Sequence, residues 1–177
     1  MNRYTLKTLS VTTLVVIFSL TLLTAPAHAF EETGVTLSIP SIGVEAPIVS
    51  IGIRQFPNGD VTWDTTALTS QVGFLQGTAW FGQGGNIVLG GHSELADRVP
   101  TVFYELDQVA VGDEIFVITG DGHIRYVVTE VTNVSYRDLS ILYPTANERL
   151  TIMTCDTASF SGGGYAQRDV IIAERAD

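Results

Sequence analysis

Short apolar or alternating runs, separated by Gly, Pro, Asn and Asp, make up the chain from Val35 onward. Runs of this length, rich in β-branched residues and bounded by turn-forming residues, are typical of β-strands. The pattern predicts about eight strands, at residues 35–39, 46–51, 61–63, 86–90, 114–119, 124–136, 149–154 and 169–173. The sequence Gly120-Asp121-Gly122 between two of these runs predicts a hairpin, because glycine tolerates positive φ.

Helical patterns are scarce in the same region. Residues 101–109 predict one or two helical turns with Thr101 as N-cap, and residues 138–142 predict another short turn that ends before Pro144. Many short strands with Gly-rich turns are typical of a small closed barrel or of a sandwich. Of these two we expect the closed barrel, in an all-β domain with one or two short helices.

Residues 1–29 have the pattern of an export signal. Arg3 and Lys7 precede a 15-residue apolar run at residues 9–23, and Ala27-His28-Ala29 matches a small-x-small cleavage site. The alternative is a retained anchor, but the run is shorter than the roughly 20 residues that cross a bilayer as a helix. We therefore expect cleavage before Phe30 and a mature domain at residues 30–177, exported to the extracellular or cell-wall side of the membrane.

Composition removes several classes of function. The 177-residue chain has 19 acidic and 9 basic residues and a formal net charge of -10, which is the wrong sign for holding a nucleic-acid backbone. Its single cysteine cannot form an intramolecular disulfide or a thiolate-rich metal site. We therefore expect no nucleic-acid partner, no metal and no cofactor.

Three residues at predicted strand ends could support nucleophilic catalysis. Cys155 ends one apolar run, His92 follows another run after two glycines, and Arg168 opens the last strand. A thiol nucleophile, a proton-transferring imidazole and a donor for an oxyanion are the parts that such chemistry needs. Each residue alone also fits a structural role, as a buried thiol, a structural histidine or a surface arginine. His123 lies in the predicted hairpin turn, where a solvated side chain is the simpler interpretation.

The combination of these segments resembles the sortases, cysteine transpeptidases of the Gram-positive-type cell surface. The likeness rests on the run ending in His92, the segment Thr151-Ile152-Met153-Thr154-Cys155, the strand that begins at Arg168, and the opening residues 39–49. It implies an eight-stranded sortase-type barrel as the catalytic domain at residues 30–177. It also implies that Cys155 is the nucleophile, His92 the general acid and base and Arg168 the oxyanion donor, with Thr154 assisting at the substrate.

The resemblance further implies a substrate and an acceptor. The enzyme would cleave the Thr-Gly bond of a sorting signal similar to Leu-Pro-x-Thr-Gly through a thioester. An amine of a peptidoglycan precursor or a pilin lysine would then take the acyl group. Two alternatives remain from the residues: a cysteine hydrolase with water as acceptor, and a non-catalytic cell-surface β-domain. The segments 135–148 and 156–167 flank the nucleophile strand, and we expect them to determine specificity.

Overall fold

The structure, a computed structural model, describes residues 30–176, and strands account for most of its regular elements. Their bounds are β1 Glu31–Ile39, β2 Val44–Ile51, β3 Ile53–Gln55, β4 Val61–Trp63, β5 Val72–Leu75, β6 Asn86–Gly90, β7 Glu114–Thr119, β8 Gly122–Ser135, β9 Arg149–Cys155, β10 Phe160–Ser161, β11 Gly164–Tyr165 and β12 Gln167–Ala176. Four 3-10 turns lie between them, at Pro40–Ile42, Leu106–Gln108, Ser140–Leu142 and Thr157–Ser159.

Eight of the strands close into a barrel in the order β1-β2-β5-β6-β9-β12-β8-β7. The pairs β2/β5 and β6/β9 are parallel, and the other six pairs are antiparallel. The last strand in this order, β7, pairs with β1, so the sheet has no open edge. The prediction of an all-β closed barrel is confirmed.

Side chains of the barrel strands alternate between two apolar clusters. In β9, Leu150 and Ile152 are fully buried in the larger cluster, which fills the barrel. Met153 points to the other side and packs against a smaller cluster on the outer surface of the wall. The outer cluster consists of Val49, Ile51, Leu68, Leu75 and Val88. The wall near β6 and β9 is therefore covered on both faces.

One strand of the wall was not among the predicted strands, and one predicted strand lies outside the wall. Residues 61–63 form β4, which pairs only with β3 in a separate hairpin. The missing wall strand is β5, a run of four buried residues. It was overlooked because it is short and contains Gly73, which weakens a strand pattern. That glycine is needed for close packing, since a Cβ there would lie 2.7 Å from Ile51 Cδ1.

The two predicted helical segments contain only single 3-10 turns, at Leu106–Gln108 and Ser140–Leu142. Thr101 does not cap a helix. Its hydroxyl donates a 2.6 Å hydrogen bond to the main-chain oxygen of His92 instead.

The predicted export signal, residues 1–29, lies outside the described residues. Within residues 30–176, no helix has both the length and the apolar character that a bilayer crossing needs.

Candidate active site

The ends of three adjacent barrel strands carry the predicted site residues. Cys155 ends β9 and lies directly opposite Arg168, the second residue of β12, in the antiparallel ladder. On the other side of β9, the parallel strand β6 pairs Gly90 with Met153. His92 and Cys155 each lie two residues beyond that pair, so the parallel register brings them to the same level. All three side chains line one cavity of about 330 Å³.

The three residues share the outer face of the barrel wall. Successive side chains of a strand point to opposite faces. Because Ile152 points into the barrel and Met153 packs outside it, Cys155 also points outward. The same alternation holds in β12, where Ile171 is in the central cluster and Arg168 is an odd number of residues away. The cavity is therefore a groove on the surface of the wall rather than part of the barrel interior.

The Arg168 guanidinium is held at one of its nitrogens. Nη1 donates to the main-chain oxygens of Gln167 at 2.9 Å and Tyr165 at 3.4 Å. The guanidinium carbon lies 6.0 Å from the centre of the Tyr136 ring. Its Nε and Nη2 have no hydrogen-bond partner among residues 30–176. These donors are available to an oxygen placed in the cavity, and a guanidinium keeps its charge at every relevant pH.

The electrostatic surroundings of Cys155 keep its thiol protonated at neutral pH. The side chain is half-buried, and the loss of solvent around it raises the pKa of the thiol. The positive charge of the Arg168 guanidinium lowers the same pKa by a smaller amount. The carboxylates of Glu94 and Asp169 raise the pKa further. A nucleophilic step at this sulfur therefore needs a proton acceptor nearby.

The imidazole of His92 is fixed by a backbone oxygen on the opposite side of the groove. Its Nε2 lies 3.0 Å from the main-chain oxygen of Thr65, and a carbonyl can only accept, so Nε2 carries the proton. Within the described part of the chain, no hydrogen bond joins His92 to Cys155. The other ring nitrogen, Nδ1, is thus the one left to exchange a proton with a reacting group.

A tight turn positions the Thr65 carbonyl. The Asp64 carboxylate accepts hydrogen bonds from the amide of Thr66 at 3.1 Å and from its hydroxyl at 2.5 Å. The hydrogen bonds from Thr66, together with the Arg54 guanidinium at 2.8 Å, lower the pKa of Asp64 to about 2. The carboxylate is therefore ionised throughout the neutral range and keeps the turn formed.

The backbone before His92 approaches its neighbours closely. A Cβ on Gly91 would lie 2.7 Å from Phe103 Cδ2, so only glycine fits without movement. The Gly91 oxygen accepts a 2.9 Å hydrogen bond from the hydroxyl of Thr154, a buried residue that also lines the cavity. Thr154 therefore ties the end of β9 to the segment that carries His92.

The connection between β8 and β9 forms one apolar side of the groove, and a buried amide holds it in place. Leu139, Ile141 and Leu142 line the cavity from this connection. The Asn86 side-chain amide nitrogen donates to the main-chain oxygens of Ile141 at 2.8 Å and Tyr143 at 3.0 Å.

The oxygen of the same amide is also fully used. It accepts from the hydroxyl of Thr151 at 2.7 Å and from Nε of Arg149 at 3.2 Å. Asn86 is only 3% exposed. Four hydrogen bonds from one buried amide therefore connect β6, β9 and this side of the groove.

Comparison with known proteins identifies the family. A family model described as the sortase domain matches residues 37–176. The chain belongs to the sortase family. Sortases are transpeptidases that act on peptides at the cell surface, on the outer side of the membrane. The predicted resemblance is confirmed for almost the whole described chain.

Solved sortase structures share the fold. A lid mutant of sortase A from Corynebacterium diphtheriae is 28% identical, with 86% of this chain and 74% of that chain covered and a TM-score of 0.67. Sortase C-1 from Actinomyces oris is 27% identical, with coverages of 81% and 73% and a TM-score of 0.63. A sortase D5 transpeptidase from Clostridium perfringens is 23% identical, with coverages of 81% and 78% and a TM-score of 0.60, and this likeness concerns the fold alone. No curated protein matches the chain.

Several residues at the groove of this sortase were not predicted. Thr65 and Trp63 line it, and Asn86 holds one of its sides. Among the three, only Thr65 lies in a sequence, Asp64-Thr65-Thr66, that contains a signal for a turn. The partners of the other two lie too far along the chain for a sequence pattern to join them.

His123 is exposed in the β7–β8 hairpin against Phe116, away from this cavity. Among residues 30–176, no group of three or more His, Cys, Asp or Glu could hold a metal ion.

Proposed function

We propose that this sortase cleaves the Thr-Gly bond of a sorting signal similar to Leu-Pro-x-Thr-Gly and transfers the threonyl acyl group to an amine. The observation that carries the proposal is the pairing of Cys155 with Arg168 across the ladder, beside His92 in one groove. Directly opposed residues in an antiparallel pair have Cβ atoms about 4.5–5.5 Å apart. One substrate carbonyl can therefore contact the sulfur and the guanidinium together.

In the first half-reaction, Cys155 is the nucleophile and His92 is the general base and then the acid. The sulfur attacks the threonine carbonyl carbon while Nδ1 of His92 takes the thiol proton. The resulting oxyanion accepts hydrogen bonds from the unoccupied donors of Arg168. When the C–N bond breaks, the imidazolium returns the proton to the departing glycine nitrogen, which leaves a thioester on Cys155.

In the second half-reaction, an amine replaces the sulfur. The amine attacks the thioester carbonyl, His92 accepts a proton from its nitrogen, and the thiolate leaves and is reprotonated. Water in place of the amine gives hydrolysis and a free carboxylate. We propose an amine of a peptidoglycan precursor or a pilin lysine as the natural acceptor, with the exported enzyme on the cell-wall side of the membrane.

The apolar lining of the groove supports a substrate with leucine and proline before the scissile threonine. Trp63, Leu75 and Met153 line it from the barrel wall and the β4 hairpin, and Leu142 lines it from the opposite side. The cavity of about 330 Å³ has room for a short segment, and the apolar part of its lining favours apolar side chains there. We propose that Thr154 supports the substrate indirectly, since its hydroxyl is bonded to Gly91.

The test is turnover of a quenched fluorescent sorting peptide, with and without an added amine, followed by mass spectrometry of the products. We expect amide product when the amine is present and a trapped thioester on Cys155. Cys155→Ala should abolish turnover, and His92→Ala should nearly abolish it. Arg168→Lys should reduce the rate roughly 100- to 1000-fold, the effect of losing one preorganised oxyanion donor.

Arg175→Lys is the matched control for Arg168→Lys. It lies in the same strand but pairs with Glu148 at 3.6 Å, and we expect its turnover to be unchanged. Near-normal turnover of Arg168→Lys would remove Arg168 from the mechanism. If the free carboxylate is the only product at a saturating amine concentration, the enzyme is a hydrolase and not a transpeptidase.

A further inference from the structure

A buried carboxylate links the loop after β6 to the hairpin before β12. The Glu94 side chain is 3% exposed and lies two residues after His92. One of its oxygens, Oε1, accepts a 2.6 Å hydrogen bond from the hydroxyl of Tyr165 and lies 3.0 Å from Nη1 of Arg98. Tyr165 and Glu94 are 71 residues apart, so this contact joins two segments that are distant in the sequence.

Tyr165 also contacts Arg168. Its main-chain oxygen is one of the two that accept from Nη1 of Arg168. The Tyr165 ring packs 5.0 Å from the Phe160 ring, and the Arg98 guanidinium lies 4.6 Å from that same ring. Tyr165 therefore stands between the segment that carries His92 and the side chain of Arg168.

The backbone alone does not fix these two side chains relative to each other. His92 and Arg168 extend from β6 and β12, which are separated by β9 in the barrel. The β10–β11 hairpin that carries Tyr165 turns through Gly162 and Gly163, both with positive φ. A Cβ on either glycine would meet nothing within 4 Å. The side-chain contacts of Tyr165 and Phe160 are what attach this hairpin to the loop after β6.

We propose that Tyr165 and Glu94 are positioning residues, whose hydrogen bond holds the Arg168 guanidinium in register with Cys155 and His92. This inference rests on the function proposed above. The bond also gives the buried carboxylate of Glu94 one of the partners that such a group needs. Arg98 supplies the second partner.

The ionisation states fit this role over the working pH range. The hydrogen bond to Glu94 raises the pKa of Tyr165 to about 12, so the phenol remains a donor. Glu94 raises the pKa of the Cys155 thiol, and Arg168 lowers it. Movement of Arg168 away from the sulfur and removal of the Glu94 charge should therefore shift the thiol pKa in opposite directions.

The experiment compares Tyr165→Phe and Glu94→Gln with the wild type, using peptide turnover. Tyr165→Phe removes only the hydroxyl and keeps the ring against Phe160, and we expect kcat to fall about tenfold with KM within about twofold, since about 1.4 kcal/mol of transition-state stabilisation is a factor of ten. Glu94→Gln keeps an acceptor for the phenol, so its loss should be smaller. The loss of kcat in the double variant should be smaller than the product of the two single losses, because both changes act on the Tyr165–Glu94 bond.

A second measurement is the rate at which iodoacetamide alkylates Cys155 as a function of pH, monitored by mass spectrometry. The midpoint of this pH profile reports the pKa of the thiol. Cys155 is the only thiol in the chain, so the reaction reports on this site alone. The midpoint should rise in Tyr165→Phe, because Arg168 is less well held, and should fall in Glu94→Gln. A merely structural contact would change thermal stability and leave the midpoint unmoved.

The control is Tyr104→Phe, a 43% exposed tyrosine in the same loop as Glu94. Its kcat and midpoint should match the wild type. If Tyr165→Phe matches Tyr104→Phe in both measurements, the positioning role is wrong while the proposed function stands. If the wild type does not cleave the peptide, the proposed function fails, and equal midpoints in all variants would then overturn the positioning role independently.

Discussion

The two connections that flank the groove are attached to the barrel in different ways. The β8–β9 connection, residues 136–148, is held from beneath by Asn86, a buried amide with four hydrogen bonds. The β9–β12 connection, residues 156–166, is held mainly by its own side chains against the loop after β6, such as Tyr165 on Glu94. The Asn86 network lies within the barrel wall and forms with it, whereas contacts between two loops can open while the barrel stays folded.

This difference in attachment corresponds to a different contribution of each connection to the groove. The connection held by Asn86 presents the apolar lining of the groove, where shape must be constant. The connection held by Tyr165 leads into Arg168, which we propose as the donor to the charge that develops on the substrate. We therefore expect changes in the first connection to affect substrate binding and stability, and changes in the second to affect the chemical step.

The largest effect is expected from removing the buried amide. Asn86→Leu leaves the oxygen of Tyr143 without this donor and the hydroxyl of Thr151 without its acceptor, while the oxygen of Ile141 keeps only its bond from Nη2 of Arg149. It should lower the free energy of unfolding by about 3 kcal/mol. KM for the sorting peptide should rise more than kcat falls. Chemical denaturation and steady-state kinetics measure the two effects.

Asn133→Leu is the matched control for that variant. Its exposed amide bonds Asp156 at 3.1 Å and Asp169 at 2.8 Å, beside the second connection. We expect a loss below about 1 kcal/mol, as for exposed polar contacts. Equal losses in the two variants would contradict the distinction between the connections.

Insertion of two glycines tests the same distinction through the backbone. After Gly162, where the hairpin turns in open space, the insertion lengthens a surface loop and should lower Tm by about 2 °C or less. After Leu139, it displaces the carbonyls that Asn86 binds and should lower Tm by about 6 °C or more. Scanning calorimetry measures the Tm of both variants. A larger loss of Tm for the insertion after Gly162 than for the insertion after Leu139 would be inconsistent with a rigid first connection.

The smallest effects concern two aspartates with opposite pKa shifts. Hydrogen bonds from Ser140 lower the pKa of Asp138 in the first connection, whereas burial raises the pKa of Asp169 beside the second. Asp138 therefore stabilises the fold above its unfolded pKa, and this contribution is lost as pH falls through its folded pKa. For Asp169, stability decreases as pH rises from its unfolded pKa through its folded pKa.

Melting temperatures at pH 7 and pH 3 check these signs. At pH 7, Asp138→Asn should melt slightly below the wild type and Asp169→Asn slightly above it. Both differences should shrink at pH 3, where the wild-type carboxyls approach protonation. A stabilising Asp138→Asn at pH 7 would contradict the stabilising role of the hydrogen bonds from Ser140. A destabilising Asp169→Asn would show that its hydrogen bond from Asn133 outweighs the cost of its burial.

The sequence predicted those parts of the molecule whose signals are local. The bounds of β4, β6 and β7 match the apolar runs, because strand pattern and flanking turn residues agree there. The placement of His92, Cys155 and Arg168 in one groove also follows from strand ends. Their catalytic roles stay a prediction.

The elements that were missed depend on contacts between distant residues. The strand β5 was missed because Gly73 is explained only by packing on Ile51. Asn86 is the first residue of a predicted strand, and nothing nearby indicates that it binds a carbonyl 55 residues away. Such contacts form only when the folded barrel brings distant residues together, so no short stretch of sequence predicts them.

The alternation of side chains along β9 links the packing of the barrel interior to the direction of the Cys155 thiol. Thr154 and Cys155 are neighbours that face opposite sides of the same wall. A slip of β9 by one residue would turn the sulfur into the lumen and move Leu150 and Ile152 to the outer face, where Thr151 and Met153 now lie. The packing of the barrel interior that selects this register thus also decides whether the thiol of Cys155, the proposed nucleophile, faces the groove.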